Sequence, residues 1–251
     1  MINQKLFTSN FDDPVLYAPA NLKSDNPCSS LKIITAFTDC DRISTHMIHL
    51  SDGMKNKQLV KGLSVEILLG MTKYSLSKKK HEDICRILGF INESKDMPKV
   101  SCRYICKGAE VHSKMYIWSQ LNGCSKEIPR LAFCGSLNYT MNAFYKRRES
   151  VSVCDSLQAY KYYRELLPDT IDCFDPNVSQ QIKNVNNKKA DTYEEVDFSD
   201  DEYAVYDSMI PIDTLYVSLL VASGKDTGYG SGINWGIRRN GTKRDKNQSY
   251  I

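Results

Sequence analysis

Apolar and polar residues alternate in short, well-bounded blocks through the first two thirds of the chain, and the period of each block predicts its element. Residues 31–37, Leu-Lys-Ile-Ile-Thr-Ala-Phe, are rich in β-branched side chains and predict a strand, with Thr38, Asp39 and Cys40 as the turn at its C-terminal end. Residues 41–60 carry Ile43, Met47, Ile48, Leu50 and Met54 at helical spacing, and residues 65–70 form the next buried strand. Residues 77–94 predict an amphipathic helix with Ile84, Ile87, Leu88 and Ile91 on one face and Lys78, Lys79 and Lys80 at its start. A strand follows at 100–104. Residues 2–25 are mixed and predict a short strand or helix with a loop ending at Pro27.

In residues 111–118 the pattern becomes strict alternation. Val111, Ser113, Met115 and Ile117 point one way, and His112, Lys114, Tyr116 and Trp118 the other, which predicts a buried strand with a histidine and a lysine side by side on one face. After a loop at 119–130, residues 131–134 form another buried strand. It runs into Gly135-Ser136-Leu137-Asn138, and Glu149 opens a further strand ending near Val153. A helix at 157–168, ended by Pro168, closes the unit. Strands and helices in this order predict an α/β sandwich with a central mixed sheet flanked by helices.

Composition then shifts. Residues 1–175 form the folded unit, 176–210 a polar and acidic linker, and 211–251 a short C-terminal β/loop fragment. Residues 191–207 carry Asp and Glu with no Lys or Arg, either as a solvated linker or as a nucleic-acid mimic shielding a basic groove. Residues 215–221 predict one more strand. The tail is glycine-rich and basic, with Arg238, Arg239, Lys243 and Arg244. It suits a loop whose backbone approaches phosphates, and equally a frayed cationic terminus.

Across 251 residues, 41% hydrophobic and 25% charged content is that of an ordinary globular protein, and a net charge of +3 is too small to name a partner. Nine cysteines lack paired CxxC spacing, which argues against a zinc site and for reduced thiols in a cytoplasmic protein. The N-terminus has no hydrophobic leader and no apolar run reaches the ~20 residues of a membrane span.

An imidazole beside an ammonium is chemically loaded: the first can attack phosphorus or pass a proton near neutral pH, the second can hold a phosphate oxygen. His-x-Lys at 112–114, Gly-Ser-x-Asn at 135–138 and Glu149 opening the next strand together resemble the phospholipase D superfamily, and within it the NgoFVII-type restriction endonucleases. The resemblance covers residues 1–175. It departs from the superfamily pattern at Ser119, where an Asp is expected, a loss that resembles the nuclease branch more than the lipid-cleaving one.

The resemblance implies a phospholipase D-like fold and metal-independent DNA hydrolysis through a phosphohistidine, with no cofactor. His46, His49 and His81 are followed two residues later by Ile48, Ser51 and Asp83, never by Lys. The chain therefore carries one half-site, and the mechanism implies a homodimer with the active site at a two-fold interface. His112 is the expected nucleophile and acid, Lys114 and Asn138 the ligands of the nonbridging oxygens, Ser136 their support, and Glu149 the acceptor from the far nitrogen of His112. Arg147 and Arg148, with Arg238, Arg239, Lys243 and Arg244, are expected on double-stranded DNA. The tail resembles the opening of the B3-like DNA-reading domain of these enzymes, cut short here. Relatives work with a helicase-type partner in some cases and are opposed by a cognate methyltransferase in nearly all. Two other readings stay open: a phospholipid-cleaving enzyme of the superfamily, and an inactive DNA-binding remnant. Ser136 and Asn138 also fit as turn residues, and Glu149 as a surface charge beside Arg147 and Arg148.

Overall fold

The computed structural model of the chain describes residues 12–121, 126–145, 147 and 149–186. The acidic stretch at 191–207, the strand expected at 215–221, the basic tail with Arg238, Arg239, Lys243 and Arg244, and Arg148 all lie outside the described residues.

Seven strands make one mixed sheet. β1 (Ser30–Thr35), β2 (Ser64–Leu69) and β3 (Lys99–Ile105) run parallel, and β7 (Thr170–Asp172) pairs antiparallel with β3 at one edge. On the other side of β1 lie β4 (Met115–Leu121), β5 (Glu127–Gly135) and β6 (Val151–Cys154), each antiparallel to its neighbour, giving the order β6-β5-β4-β1-β2-β3-β7. All six residues of β1 are buried, as a central strand covered on both faces requires.

Helices α1 (Cys40–Lys55), α2 (Thr72–Ser75) and α3 (Lys78–Glu93) follow β1 and β2. α4 (Met141–Tyr145) follows β5, α5 (Ser156–Leu166) follows β6, and α6 (Val178–Gln181) ends the unit. The three long helices start on side-chain caps. Asp39 accepts from Arg42 N at 2.6 Å, Ser77 from Lys80 N at 3.1 Å and Asp155 from Gln158 N at 2.8 Å.

The period-two pattern of the strands sorts their side chains between two cores. Leu31, Ile33, Val65, Ile67, Cys102, Tyr104, Tyr116 and Trp118 join the larger one, with Ile43 and Met47 of α1 and Ile84 and Leu88 of α3. Ile34, Leu68, Ile105, Ile117 and Ala132 face the other way, against Ala159 and Tyr163 of α5. At about 0.8 kcal/mol per buried methylene, the larger core supplies most of the drive to fold. The α5 side also buries a polar network: Lys32 Nζ reaches Glu127 Oε1 at 2.5 Å and Ser30 Oγ at 2.9 Å, Tyr160 donates to Glu127 at 2.8 Å, and Tyr163 donates to Glu66.

The structure redraws three expectations and decides one left open. Residues 111–114 lie outside the sheet as an extended lead-in, because the pairing of β4 with β1 ends at Ile34–Met115. Residues 119–121 and 127–130 belong to a β4–β5 hairpin rather than a loop; Arg130 bridges to Gln120 across it at 3.0 Å. The segment before Pro27 forms a π-helical turn at Asp12–Tyr17 and a 3-10 turn at Ala18–Ala20, held to β4 by Trp118 Nε1 donating to Val15 O at 2.7 Å. The packed unit runs past 175. Val178, Ile182 and Val185 are buried in the larger core, so their helical spacing sets this segment's fate although Asn, Gln and Lys dominate its composition. Among the described residues, no helix is long and apolar enough to cross a membrane.

Candidate active site at the C-terminal end of the central strand

The C-terminal ends of parallel strands are where open α/β sheets place their ligands. Here β1 ends at Thr35, and the segments carrying the two motifs meet just beyond it.

The histidine arrives by a close crossing. Val111 N bonds to Gly70 O at 3.3 Å, and a Cβ at Gly70 would lie 1.9 Å from Val111 O, so only glycine lets residues 111–114 pass over the end of β2. His112 is exposed, whereas Lys114 is buried. Lys114 Nζ lies 3.0 Å from both Nδ1 and Nε2 of His112. The Phe37 ring stands edge-on to the imidazole at 6.3 Å and 80°. Ser113, on the opposite side of the segment, shares a hydrogen bond with Tyr162 of α5 at 3.1 Å.

The second motif is stitched to the strand beside it. A Cβ at Gly135 would lie 1.9 Å from Ser150 O, so this glycine too is fixed by a close approach. Ser136 N donates to Ser150 O at 3.0 Å and Ser150 N donates to Ser136 Oγ at 3.0 Å; Ser136 Oγ in turn donates to Glu149 Oε2. Glu149 thus pairs with Ser136, where the expected partner was the far nitrogen of His112. Glu149 is buried, and burial pushes its carboxyl up to about 7, with the Ser136 hydroxyl and the charges of Arg147 and Lys114 pulling the other way. Lys114 therefore faces both His112 and the field at Glu149.

Asn138 is held from the end of β1. Its Oδ1 sits 3.4 Å from both Thr35 Oγ1 and Phe37 N. A backbone N–H only donates, so the oxygen of this amide faces β1 and its NH2 end points away. Thr35 Oγ1 also accepts from Tyr139 N at 2.9 Å and donates to Phe37 O at 2.7 Å. Tyr116 of β4 supports the same loop by donating to Leu137 O at 2.9 Å. Asp39 accepts from Met141 N at 2.7 Å, tying α4 to the start of α1. Arg147, partly buried, donates its backbone N–H to Asn142 O at 2.9 Å.

The fold thus joins His112 with Lys114 and Ser136 with Glu149, and it seats Asn138 on the strand end whose Phe37 faces His112. Sequence reasoning missed Gly70, Thr35 and Phe37. The signal available was their place at the ends of two apolar strands, where ligand-facing loops begin. The other three histidines each share a hydrogen bond with a tyrosine hydroxyl: His46 with Tyr139 at 2.7 Å, His49 with Tyr17 at 3.1 Å and His81 with Tyr104 at 3.2 Å. His46 is a core residue whose imidazole burial holds well below its ordinary range. Among the described residues, no group of three or more His, Cys, Asp and Glu side chains gathers as metal ligands do.

The mixed α/β sheet brings His-x-Lys and Gly-Ser-x-Asn to the end of its central strand, and the family it matches makes this a nuclease domain of the phospholipase D type. The sequence profile described as the NgoFVII restriction endonuclease N-terminal PLD domain matches residues 10–181, and the chain belongs to that family. Among solved structures, the chain aligns with the phospholipase D family member Nuc from Salmonella typhimurium, at 17% identity and a TM-score of 0.36 over 57% of this chain and 81% of that one. No curated protein matches the sequence significantly.

Proposed function

We propose that this domain hydrolyses DNA phosphodiester bonds through a covalent phosphohistidine, without a metal ion, as the cleaving part of a restriction endonuclease. The observation that carries the reading is the exposed His112 imidazole with the Lys114 ammonium 3.0 Å from its ring nitrogens. A neutral ring nitrogen of His112 attacks phosphorus and the P–O bond to the leaving strand breaks. Lys114 and the outward NH2 of Asn138 hold the nonbridging oxygens as charge builds on them. Water then attacks the phosphohistidine and frees the ring.

The leaving oxygen needs a proton and the attacking water must lose one. The chain carries one His-x-Lys, so these transfers fall to His112 of a second copy placed across a two-fold axis. Glu149 acts through Ser136: their bond fixes the turn that presents Asn138. Arg147 lies beside the site and contributes to the DNA path, as the tail arginines and lysines would beyond it.

The test is cleavage of plasmid DNA in EDTA by wild type and by His112→Ala. Cutting by wild type alone supports the reading. Cutting that disappears with chelation and returns with magnesium, or that survives His112→Ala, overturns it.

A further inference from the structure

We infer that Thr35 is a positioning residue of this site, acting through Asn138 on the phosphate. The inference rests on the proposed diester chemistry and names a part of it that no motif contains. Thr35 is the last residue of β1, paired with Leu69 of β2, while the last pair with β4 falls one residue earlier, at Ile34–Met115. The strands part there, and the threonine side chain, fully buried, turns to the 136–140 loop instead of a third strand.

Its hydroxyl is a hub. It accepts from Tyr139 N at 2.9 Å, donates to Phe37 O at 2.7 Å, and stands 3.4 Å from Asn138 Oδ1. One oxygen therefore ties together the residue whose ring faces His112, the backbone that follows Asn138, and the amide of Asn138 itself. A hydroxyl has one proton, here shared between Phe37 O at 2.7 Å and the more distant Asn138 Oδ1 at 3.4 Å, and it accepts from Tyr139 N with a lone pair.

The consequence is directional. Asn138 is useful to a phosphate only if its NH2 end faces outward, and an unconstrained amide flips at little cost. Phe37 N donates to the oxygen end and the shared Thr35 proton lies on the same side, which biases the amide toward the useful sense. Without the hydroxyl, Asn138 and the Tyr139 N–H lose their register against β1, and the amide is misaimed by a fraction of an ångström to an ångström. Displacements of that size cost about a hundredfold in rate when they fall on a positioned group.

The experiment compares wild type, Thr35→Val, Thr35→Ser, Asn138→Ala and Thr35→Val/Asn138→Ala on plasmid DNA and on bis(4-nitrophenyl) phosphate, and measures inorganic vanadate binding by calorimetry. Thr35→Val is expected to lower kcat about 10- to 100-fold with KM changed less than about threefold. Thr35→Ser, which keeps the hydroxyl, stays within about threefold of wild type. The double variant is no slower than Asn138→Ala alone, because both changes remove the same interaction. If Thr35→Val does not fold, Thr35→Cys carries the same prediction at smaller amplitude.

The inference is overturned by Thr35→Val retaining wild-type kcat, by Thr35→Ser being equally impaired, or by losses that multiply in the double variant. Vanadate separates this failure from failure of the diester chemistry. If wild type cleaves no better than His112→Ala, the proposed reaction falls, and the positioning role is read from vanadate alone. It then requires about tenfold weaker binding in Thr35→Val and wild-type binding in Thr35→Ser. Equal vanadate binding by wild type and Thr35→Val, or no binding by wild type, overturns it.

Discussion

Lys114 Nζ stands equidistant, at 3.0 Å, from the two ring nitrogens of His112. The lysine is buried and the histidine exposed, so the cation is the fixed member of the pair and, in the proposed reaction, the ring is the one that meets substrate. Replacing Lys114 by Met removes a charge that acts on the nonbridging oxygens and leaves an apolar chain of similar volume. The expected loss in kcat is about 100- to 1,000-fold. The thermal midpoint falls if the Lys114 ammonium holds its neighbours His112 and Glu149 in place, and stays level if its work is only on substrate. Kinetics and a calorimetric scan on the same preparation check both halves.

Glu149 carries a pH dependence whose sign is fixed by its surroundings. Burial raises its carboxyl to about 7 from the ordinary glutamate value of 4.5, so between these limits the folded state binds a proton that the unfolded state releases. Stability therefore falls as pH rises from about 4.5 to about 7, and the loss is complete above it. Glu149→Gln, which is neutral throughout, removes this contribution. Relative to wild type it gains about 3 kcal/mol between pH 4.5 and pH 8. Urea titrations of both proteins across that range give the difference directly; parallel stability curves would place the raised carboxyl elsewhere.

Gly70→Ala sets a methyl group against Val111 O at 1.9 Å, a distance no rotamer relieves. The expected cost is about 2–4 kcal/mol, because two backbone segments must separate. The same movement carries His112 away from Phe37, so activity falls further than stability requires. Gly89 has open space around it and makes the control: an alanine there leaves both untouched or raises stability slightly.

The buried Lys32–Glu127 pair on the α5 side separates a charge cost from a packing cost. Glu127→Ala strands the Lys32 ammonium, which is only 9% exposed, and is expected to destabilise by about 3–5 kcal/mol. Lys32→Met/Glu127→Leu replaces both charges with apolar volume and lands within about 1 kcal/mol of wild type. Denaturant unfolding of the two variants tests this, and a double variant as unstable as Glu127→Ala would show that the network itself holds α5.

Much of this architecture was legible in the order of residues. The alternation from Tyr116 to Trp118 correctly assigned opposite faces, and α3 was placed to within a residue at each end, because its apolar spacing and its Ser77 cap agree. The nuclease class came from the two motifs and is borne out by the family to which the chain belongs. What escaped was everything set by a partner distant in sequence. Thr35 reads as one more β-branched strand residue until Tyr139 is seen to bond it. Glu149 reads as a partner for His112 or as a surface charge beside Arg147 and Arg148, and its bond from Ser136 is visible only once the two strands are paired. Residues 111–114 continue the alternation of β4 without sharing its pairing, because the period of side chains persists where the neighbouring strand has already ended.

The hold that Thr35 keeps on Asn138 and Tyr139 spans 103 and 104 residues of chain. Long-range closures of this kind come late in folding, after the loop entropy of the intervening strands has been met. During synthesis, the His112 segment leaves the ribosome ahead of β5 and β6, so a growing chain carries the proposed nucleophile before its proposed anion cradle. In the proposed reaction the topology works as a safety catch: the site is complete only when β5 and β6 have closed beside β4.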